Sequence, residues 1–126
     1  MVEEVYVSFE TAKLLKEKGF EEKTYCNYYL GGKFNGKFEE SSNLNWNKFF
    51  KTPIAAPTQA MAMKWLREVH NIHIDICSIW DDIHWLYQVF VITPRTARNS
   101  YVDKMLYTSY EQACEVAIKY CLKNLI

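Results

Sequence analysis

Glycine is scarce in this chain, with only four in 126 residues. Three of them, Gly31, Gly32 and Gly36, lie in one short segment, so neither a G-x-x-x-x-G-K-[ST] loop nor a G-x-G-x-x-G turn is present. Nucleotide binding through these motifs is therefore excluded. The G-x-S-x-G elbow of hydrolases is also missing. We predict no cofactor, leave catalytic residues unassigned and favour a protein that is not an enzyme.

Long apolar runs are lacking as well. The longest candidate, Ile83 to Ile92, is interrupted by His84 and Gln88, and it falls short of the roughly 18 apolar residues that indicate a membrane span. The opening stretch MVEEVYVSFETAKLL has acids where a signal peptide requires a basic start. We therefore expect a cytoplasmic protein with no membrane partner.

Neither sign of charge is in excess, because fifteen Lys and Arg balance fifteen Asp and Glu. The broad positive field that drives nonspecific nucleic-acid binding is excluded, although a local basic patch is not. Near-zero net charge also weakens the repulsion between copies, which favours a homodimer. The length is typical of one domain, so we predict a single domain over residues 1–126.

None of the four cysteines forms a C-x-x-C pair, so the sequence lacks the common thiol motifs. In a cytoplasmic protein we expect free thiols. Cys114 and Cys121 are seven residues apart on a predicted helix, roughly 10.5 Å along its axis, which is too far for a disulfide. We predict that both are buried structural residues.

Apolar residues are plentiful, at 49% of the chain, and their pattern predicts an α+β fold. We expect an antiparallel sheet of two hairpins with three helices, in the order α-β-β-α-β-β-α. The first helix is capped by Ser8, ends before Gly19 and buries a stripe of three residues. These residues are Phe9, Ala12 and Leu15.

The second predicted helix begins at Pro57-Thr58, and the third begins at Thr108 or Ser109. On the second helix we predict four buried residues, Ala62, Trp65, Leu66 and Val69, and four exposed ones, Gln59, Lys64, Arg67 and Glu68. The third helix has an apolar stripe along its length. Its residues are Ala113, Cys114, Ala117, Ile118, Cys121, Leu122 and Leu125.

Two hairpins are predicted between the helices. The first has a strand over 24–30, a turn at Gly31-Gly32 and a short return strand near 37–39. The second covers 72–92 with a two-residue turn at Asp81-Asp82, which fixes the register. One face of it is apolar: Ile72, Ile74 and Ile76 with Val91, Val89 and Tyr87, and Trp85 beside Ser78. A shift of the chain by 51 residues weakly repeats the order helix, strand, strand, and whether this reflects duplication stays open.

The opposite face of the second hairpin is mixed, and we predict it as the best candidate for a binding site. It pairs His73, Asp75, Cys77 and Ile79 with Phe90, Gln88, Leu86 and His84. His73, Asp75 and Gln88 are the candidate binding residues. The register places the imidazoles of His73 and His84 about 20 Å apart, too far to share an ion, so we predict no metal site. Cys77 has an acid beside it, which raises a thiol pKa and argues against an activated nucleophile.

Two connections carry the remaining candidates. Residues 40–56 are predicted to be an irregular loop in which Trp46, Phe49 and Phe50 either pack on the core or form a partner-binding lip. Residues 93–103 are predicted to be a loop, followed by a brief strand over 104–107, and Arg95 and Arg98 there are candidates for holding a phosphate or an acidic partner.

Three segments, VYVSFETAKLLKEKGF, APTQAMAMKWLREVHNIHI and SYEQACEVAIKYCLKNLI, resemble an uncharacterised family of small proteins from gut anaerobes and their bacteriophages or prophages. The resemblance implies a phage or mobile-element setting and assigns no functional residue. We predict a nonenzymatic binding or adaptor module that dimerises and binds an unknown protein partner. The alternatives are a nucleic-acid-binding protein that uses Arg95, Arg98 and Trp46, which zero net charge disfavours, and a small-molecule-binding protein that uses His73, Asp75 and Gln88.

Overall fold

The structure, a computed structural model, describes residues 2–36, 43–79, 83–93, 97–103 and 105–126. It has four helices and two antiparallel three-stranded sheets among these residues, which confirms the predicted α+β class. The chain divides into two compact units, residues 1–60 and 61–126, and each is considered by itself. The single domain over 1–126 stays a prediction. In the described ranges, no helix is long and apolar enough to cross a membrane.

The observed element order corrects the predicted one. The structure has α-β-β-α-β-α-β-β-β-α in place of α-β-β-α-β-β-α, and the two hairpins belong to separate sheets. The three added elements lie in the two connections that were predicted to be irregular. The helices are α1 (Phe9–Glu17), α2 (Trp46–Phe49), α3 (Gln59–His70) and α4 (Tyr110–Asn124). The strands are β1 (Asn27–Tyr28), β2 (Phe34–Asn35), β3 (Ile54–Ala55), β4 (Ile72–Ser78), β5 (Trp85–Ile92) and β6 (Ala97–Val102).

Helix α1 forms as its end signals predict. The Ser8 side chain accepts a hydrogen bond from the Thr11 amide at 3.2 Å, which satisfies one of the free donors of the first turn. The chain leaves the helix at Gly19, whose φ of +90° is a conformation that side chains with a Cβ disfavour. Ala12 and Leu15 are buried as predicted, whereas Phe9 is half-buried.

The first sheet has the strand order β2-β1-β3. The predicted hairpin is present, since β1 and β2 pair across the Gly31-Gly32 turn, but the return strand predicted near 37–39 lies outside the described residues. The loop predicted over 40–56 is wrong in part, because it contains α2 and β3. Side-chain hydrogen bonds from asparagines organise this stretch, and hydrophobic periodicity carries no signal for such short elements.

Helix α3 confirms the prediction for Ala62, Trp65 and Leu66, which are buried. Two assignments on this helix are wrong. Gln59 is only 7% exposed, because the start of the helix is hydrogen-bonded to another segment: the backbone N–H of Gln59 donates to the Val5 carbonyl at 2.8 Å. Val69, in the last turn of the helix, is 53% exposed.

The second sheet has the order β4-β5-β6, and the predicted register of its first hairpin is correct at every described pair. Ile72 lies opposite Val91 and Ser78 opposite Trp85. Beyond the strand, the Ile79 amide donates to the His84 carbonyl at 3.1 Å. The turn at Asp81-Asp82 lies outside the described residues.

The loop predicted over 93–103 is wrong, because residues 97–102 form β6 along the free edge of β5. The strand has a register shift between Val89 and Phe90 of its partner. Its sequence, ARNSYV, contains weak strand formers, so pairing with an available edge determines the structure there. Of the strand predicted over 104–107, Tyr107 forms an isolated bridge with Trp85 and Lys104 is outside the described residues.

Helix α4 packs on β4 and β5 and closes the core of this unit. Ser109 caps it, as predicted, by accepting a hydrogen bond from the Gln112 amide at 3.0 Å. Cys114 and Cys121 are buried and form no disulfide, which confirms the prediction that both are buried free thiols. Across from the helix, Ile72, Ile74, Tyr87 and Val89 are buried on the predicted apolar face of the hairpin.

Candidate functional site

The mixed face of the β4–β5 hairpin brings together three of the predicted site residues. His73 lies opposite Phe90, with ring centroids 6.3 Å apart, and Asp75 lies opposite Gln88. All of these side chains are half-buried. The alternation of β-strand side chains is sufficient to place them on one face, which is why the register alone predicts their proximity.

Asp75, Cys77 and Gln88 form one hydrogen-bonded cluster on this face. The Cys77 thiol donates to Oδ2 of Asp75 at 3.2 Å, and Nε2 of Gln88 lies 3.4 Å from the same oxygen and 3.5 Å from the Cys77 sulfur. The polar groups thus bind one another across the ladder. Such an arrangement stabilises strand pairing.

The chemistry of this cluster does not fit nucleophilic catalysis. Burial raises the pKa of the Cys77 thiol; the hydrogen bond with Gln88 lowers it in part, and the hydrogen bond and negative charge of Asp75 raise it. The thiolate, which is the reactive form, is therefore disfavoured. Among the described residues no group of three or more His, Cys, Asp or Glu is placed to hold a metal ion.

The other candidate residues lie elsewhere. Arg95 falls outside the described residues, and Arg98 is on β6 with its backbone opposite Val91. Trp46 begins α2 in the unit of residues 1–60. The structure therefore groups His73, Asp75 and Gln88, and it gives no shared site for the two arginines and Trp46.

The segment that contains Trp46 forms a rigid element, which we name the aromatic turn (residues 45–50). Asn45 Nδ2 donates to the Glu21 carbonyl at 2.7 Å, and Trp46 Nε1 donates to the Thr24 carbonyl at 2.9 Å. Asn47 joins two further segments: its Nδ2 donates to the Phe20 carbonyl at 2.8 Å, and its Oδ1 accepts from the Ala55 amide at 2.9 Å. Each bond links the turn to backbone that is distant in sequence.

The far end of the turn is held from α1. Lys16 Nζ donates to the carbonyls of Phe50 and Lys51, at 3.0 and 2.6 Å. Despite these tethers, the side chains of Phe49 and Phe50 are 67% and 44% exposed. The outcome therefore differs by residue: Trp46 is half-buried and bonded to the Thr24 carbonyl, Phe49 is exposed, and the partly exposed Phe50 ring packs against Trp46 with centroids 5.6 Å apart.

A buried polar cluster in the unit of residues 61–126 escaped sequence reasoning. The Asp103 carboxylate is 7% exposed, accepts from the Met105 amide at 2.9 Å and lies against Tyr107 and Tyr87. Tyr101 of the same cluster stacks on Tyr120 of α4 with centroids 4.1 Å apart. The sequence signal for this cluster is the set of tyrosines at 87, 101, 107 and 120, whereas a loop over 93–103 would leave Asp103 exposed to solvent.

The chain matches no model of a known protein family, no curated protein and no solved structure.

Proposed function

We propose that the chain is a nonenzymatic protein-binding module that dimerises through its aromatic turn. We place it in the cytoplasm as an adaptor of a phage or mobile element, the setting that its resemblance to small phage and gut-anaerobe proteins implies. The observation that carries the proposal is the exposure of Phe49 and Phe50 on a turn whose backbone is held by side-chain hydrogen bonds.

Exposed aromatic rings on a backbone that hydrogen bonds hold in place are suited to binding for an energetic reason. Covering an exposed phenylalanine in an interface removes apolar surface from water, worth about 1.5–3 kcal/mol for a full burial. The ordering of a mobile loop would offset much of that gain, but the tethers from Asn45, Asn47 and Lys16 already fix this turn. Most of the stabilisation is therefore available for association.

A second copy of the chain is the partner that the charge balance favours. Equal numbers of acidic and basic residues give no net repulsion between copies. In a symmetric dimer the same patch meets itself, so each interface would contain two copies of Phe49 and Phe50. Aromatic residues of this kind are enriched at the centres of protein interfaces.

The test is the solution mass, measured by light scattering over a series of concentrations. The wild type should approach the mass of two chains, and a variant with Phe49→Ser and Phe50→Ser should remain at the mass of one. Tyr25→Ser is the matched control, because Tyr25 is also exposed, at 41%, but lies outside the turn. A wild type that stays monomeric, or a double variant that still dimerises, would reject the proposal.

One observation supports a second candidate function, the binding of single-stranded nucleic acid. Lys48 and Lys51 flank the two exposed rings, and Lys48 Nζ lies 5.5 Å from the Phe49 ring centroid. Alternating cations and aromatic rings are typical of surfaces that stack bases and contact phosphates. A short oligothymidylate should then raise the measured mass at low salt, with the gain lost in the double variant. An unchanged mass would remove this alternative.

A further inference from the structure

The unit of residues 1–60 also contains a pocket of about 160 Å³. Its walls come from α1, from the chain that follows β1 and from the chain that leads into β3. The lining includes Phe9, Lys13, Tyr28, Leu30, Thr52 and Ile54. Except at Lys13 and Thr52, these side chains are aromatic or aliphatic.

The walls of the pocket are fixed by direct contacts. Tyr28 pairs with Ile54 in the sheet, and its hydroxyl donates to the Val7 carbonyl at 2.6 Å. The rings of Phe9 and Tyr28 pack with centroids 5.5 Å apart. Gly32, at φ +84°, brings its backbone so close that an added Cβ would lie 3.0 Å from the Phe9 ring. The pocket is therefore formed before anything binds.

Lys13 supplies a positive charge at the wall of the pocket. Lys13 Nζ lies 4.8 Å from the Phe9 ring centroid, and Lys16, one helical turn further, bonds the carbonyls of Phe50 and Lys51 next to Thr52. Burial lowers the pKa of Lys16, and the positive charge of Lys51 lowers it further. Within the described residues none of the three ammonium groups forms an ion pair. The Lys13 ammonium on the pocket wall is therefore available to a carboxylate.

The size of the pocket decides between kinds of ligand. A cavity of roughly 150 Å³ holds a benzene ring, whereas sites for drug-sized molecules measure about 300–1,000 Å³. A pocket of 160 Å³ therefore accommodates one side chain of a peptide and is too small to enclose a larger free ligand. Filled pockets of this kind are where binding energy concentrates in protein interfaces.

We infer that this pocket binds an acidic peptide segment of a partner protein: a phenylalanine side chain enters it, and a flanking carboxylate pairs with Lys13. The inference rests on the proposed function as a binding module and names the chemistry of its partner. Dimerisation through Phe49 and Phe50 and capture of an acidic segment would together make the chain an adaptor.

The test uses the full chain labelled with ¹⁵N and titrated with the peptide Ac-DEFDE-NH₂, followed by NMR. The amides of Phe9, Lys13 and Leu30 should shift. Two control peptides separate the contributions: Ac-DEADE-NH₂ lacks the ring, and Ac-NQFNQ-NH₂ lacks the charges. Both should bind more weakly. Lys13→Gln should weaken the binding of Ac-DEFDE-NH₂ about fivefold, the upper range for one exposed ion pair.

Lys64→Gln is the control variant, because Lys64 is exposed on α3 and does not line the pocket. It should bind like the wild type. If Ac-DEFDE-NH₂ binds no better than either control peptide, or if Lys13→Gln leaves binding unchanged, the inference is wrong. The variant with Phe49→Ser and Phe50→Ser distinguishes the two proposals. If it no longer dimerises but still binds the peptide, the result supports peptide binding by the pocket. If the wild type dimerises but does not bind the peptide, peptide binding is wrong and dimerisation through the aromatic turn stands.

Discussion

The Tyr107 hydroxyl donates a 2.5 Å hydrogen bond to Oδ2 of Asp103, a carboxylate that is almost completely buried. The other carboxylate oxygen accepts from the Met105 amide at 2.9 Å. Two donors therefore compensate the desolvation of one acid where the chain passes from β6 towards α4. Hydrogen bonds to a charged acceptor are stronger than those between neutral groups.

Replacing Asp103 by Asn should destabilise this unit. The amide keeps the shape of the side chain but loses the charge, and its NH₂ group replaces one of the two accepting oxygens, so we expect the free energy of unfolding to fall by about 1.5–3 kcal/mol. Urea denaturation measures this. Glu68→Gln, at a side chain 64% exposed on α3, removes the same charge from the surface and should change stability little. Equal effects of the two changes would contradict the assigned role of Asp103.

The tyrosines of this cluster predict a loss of stability at alkaline pH. Burial raises the pKa of Tyr107 and Tyr87, and the Asp103 carboxylate raises both further. Since the folded pKa lies above the unfolded value near 10, the neutral hydroxyls contribute stability that is complete below about pH 10 and is lost as the pH rises above it. Stability should fall more steeply above pH 10 in the wild type than in Tyr107→Phe. If stability falls equally with pH in the wild type and in Tyr107→Phe, the pKa of Tyr107 does not differ between the folded and unfolded chains.

The four thiols should differ in their reaction with iodoacetamide under native conditions. Burial raises the pKa of Cys114 to about 11 and that of Cys121 to about 12, so these thiols carry little thiolate near neutral pH and are shielded as well. Cys77, half-buried on the mixed face, should be modified first, although its pKa is also raised. Mass spectrometry of peptides gives the order, and the unfolded chain should show no such order. Faster modification of Cys121 than of Cys77 would contradict the packing of α4.

Asn47→Ala tests whether the aromatic turn is held as described. The change removes the hydrogen bonds to the Ala55 amide and the Phe20 carbonyl, so the Ala55 amide should exchange its hydrogen faster and the dimer should dissociate at higher concentration. Hydrogen exchange and light scattering measure the two effects. Asn124→Ala is the control, because Asn124 bonds only a carbonyl of its own helix, that of Tyr120. If both variants behave like the wild type, pre-organisation of the turn has no part in association.

Elements with strong local signals were predictable from the sequence. Ser8 and Ser109 mark the starts of two helices because a hydroxyl there satisfies free backbone amides. The β4–β5 register was predictable because one pairing of these strands separates apolar from polar residues, and the turn predicted at Asp81-Asp82 gives that same pairing. The proximity of Asp75 and Gln88 follows from that register alone.

The missed elements depend on contacts between residues far apart in the chain. Residues 97–100 of β6 have little strand propensity and join the sheet because β5 offers an edge. The aromatic turn depends on the reach of Asn45 and Asn47 to residues 20–21 and 55, which no local pattern encodes. The pocket at Phe9 and Lys13 escaped for the same reason: the sequence shows two residues four apart on a helix, whereas the opposite wall comes from residues 28–30 and 52–54.

An isotope-filtered NOE experiment detects whether Phe49 and Phe50 lie at the interface of a dimer, as we propose. The sample mixes chains labelled with ¹³C and ¹⁵N with unlabelled chains, so that only contacts between two copies give signals. We predict intermolecular NOEs that involve the rings of Phe49 and Phe50. A dimer whose intermolecular NOEs arise from other residues would contradict this placement. So would a sample that gives no intermolecular NOEs and has the mass of one chain by light scattering.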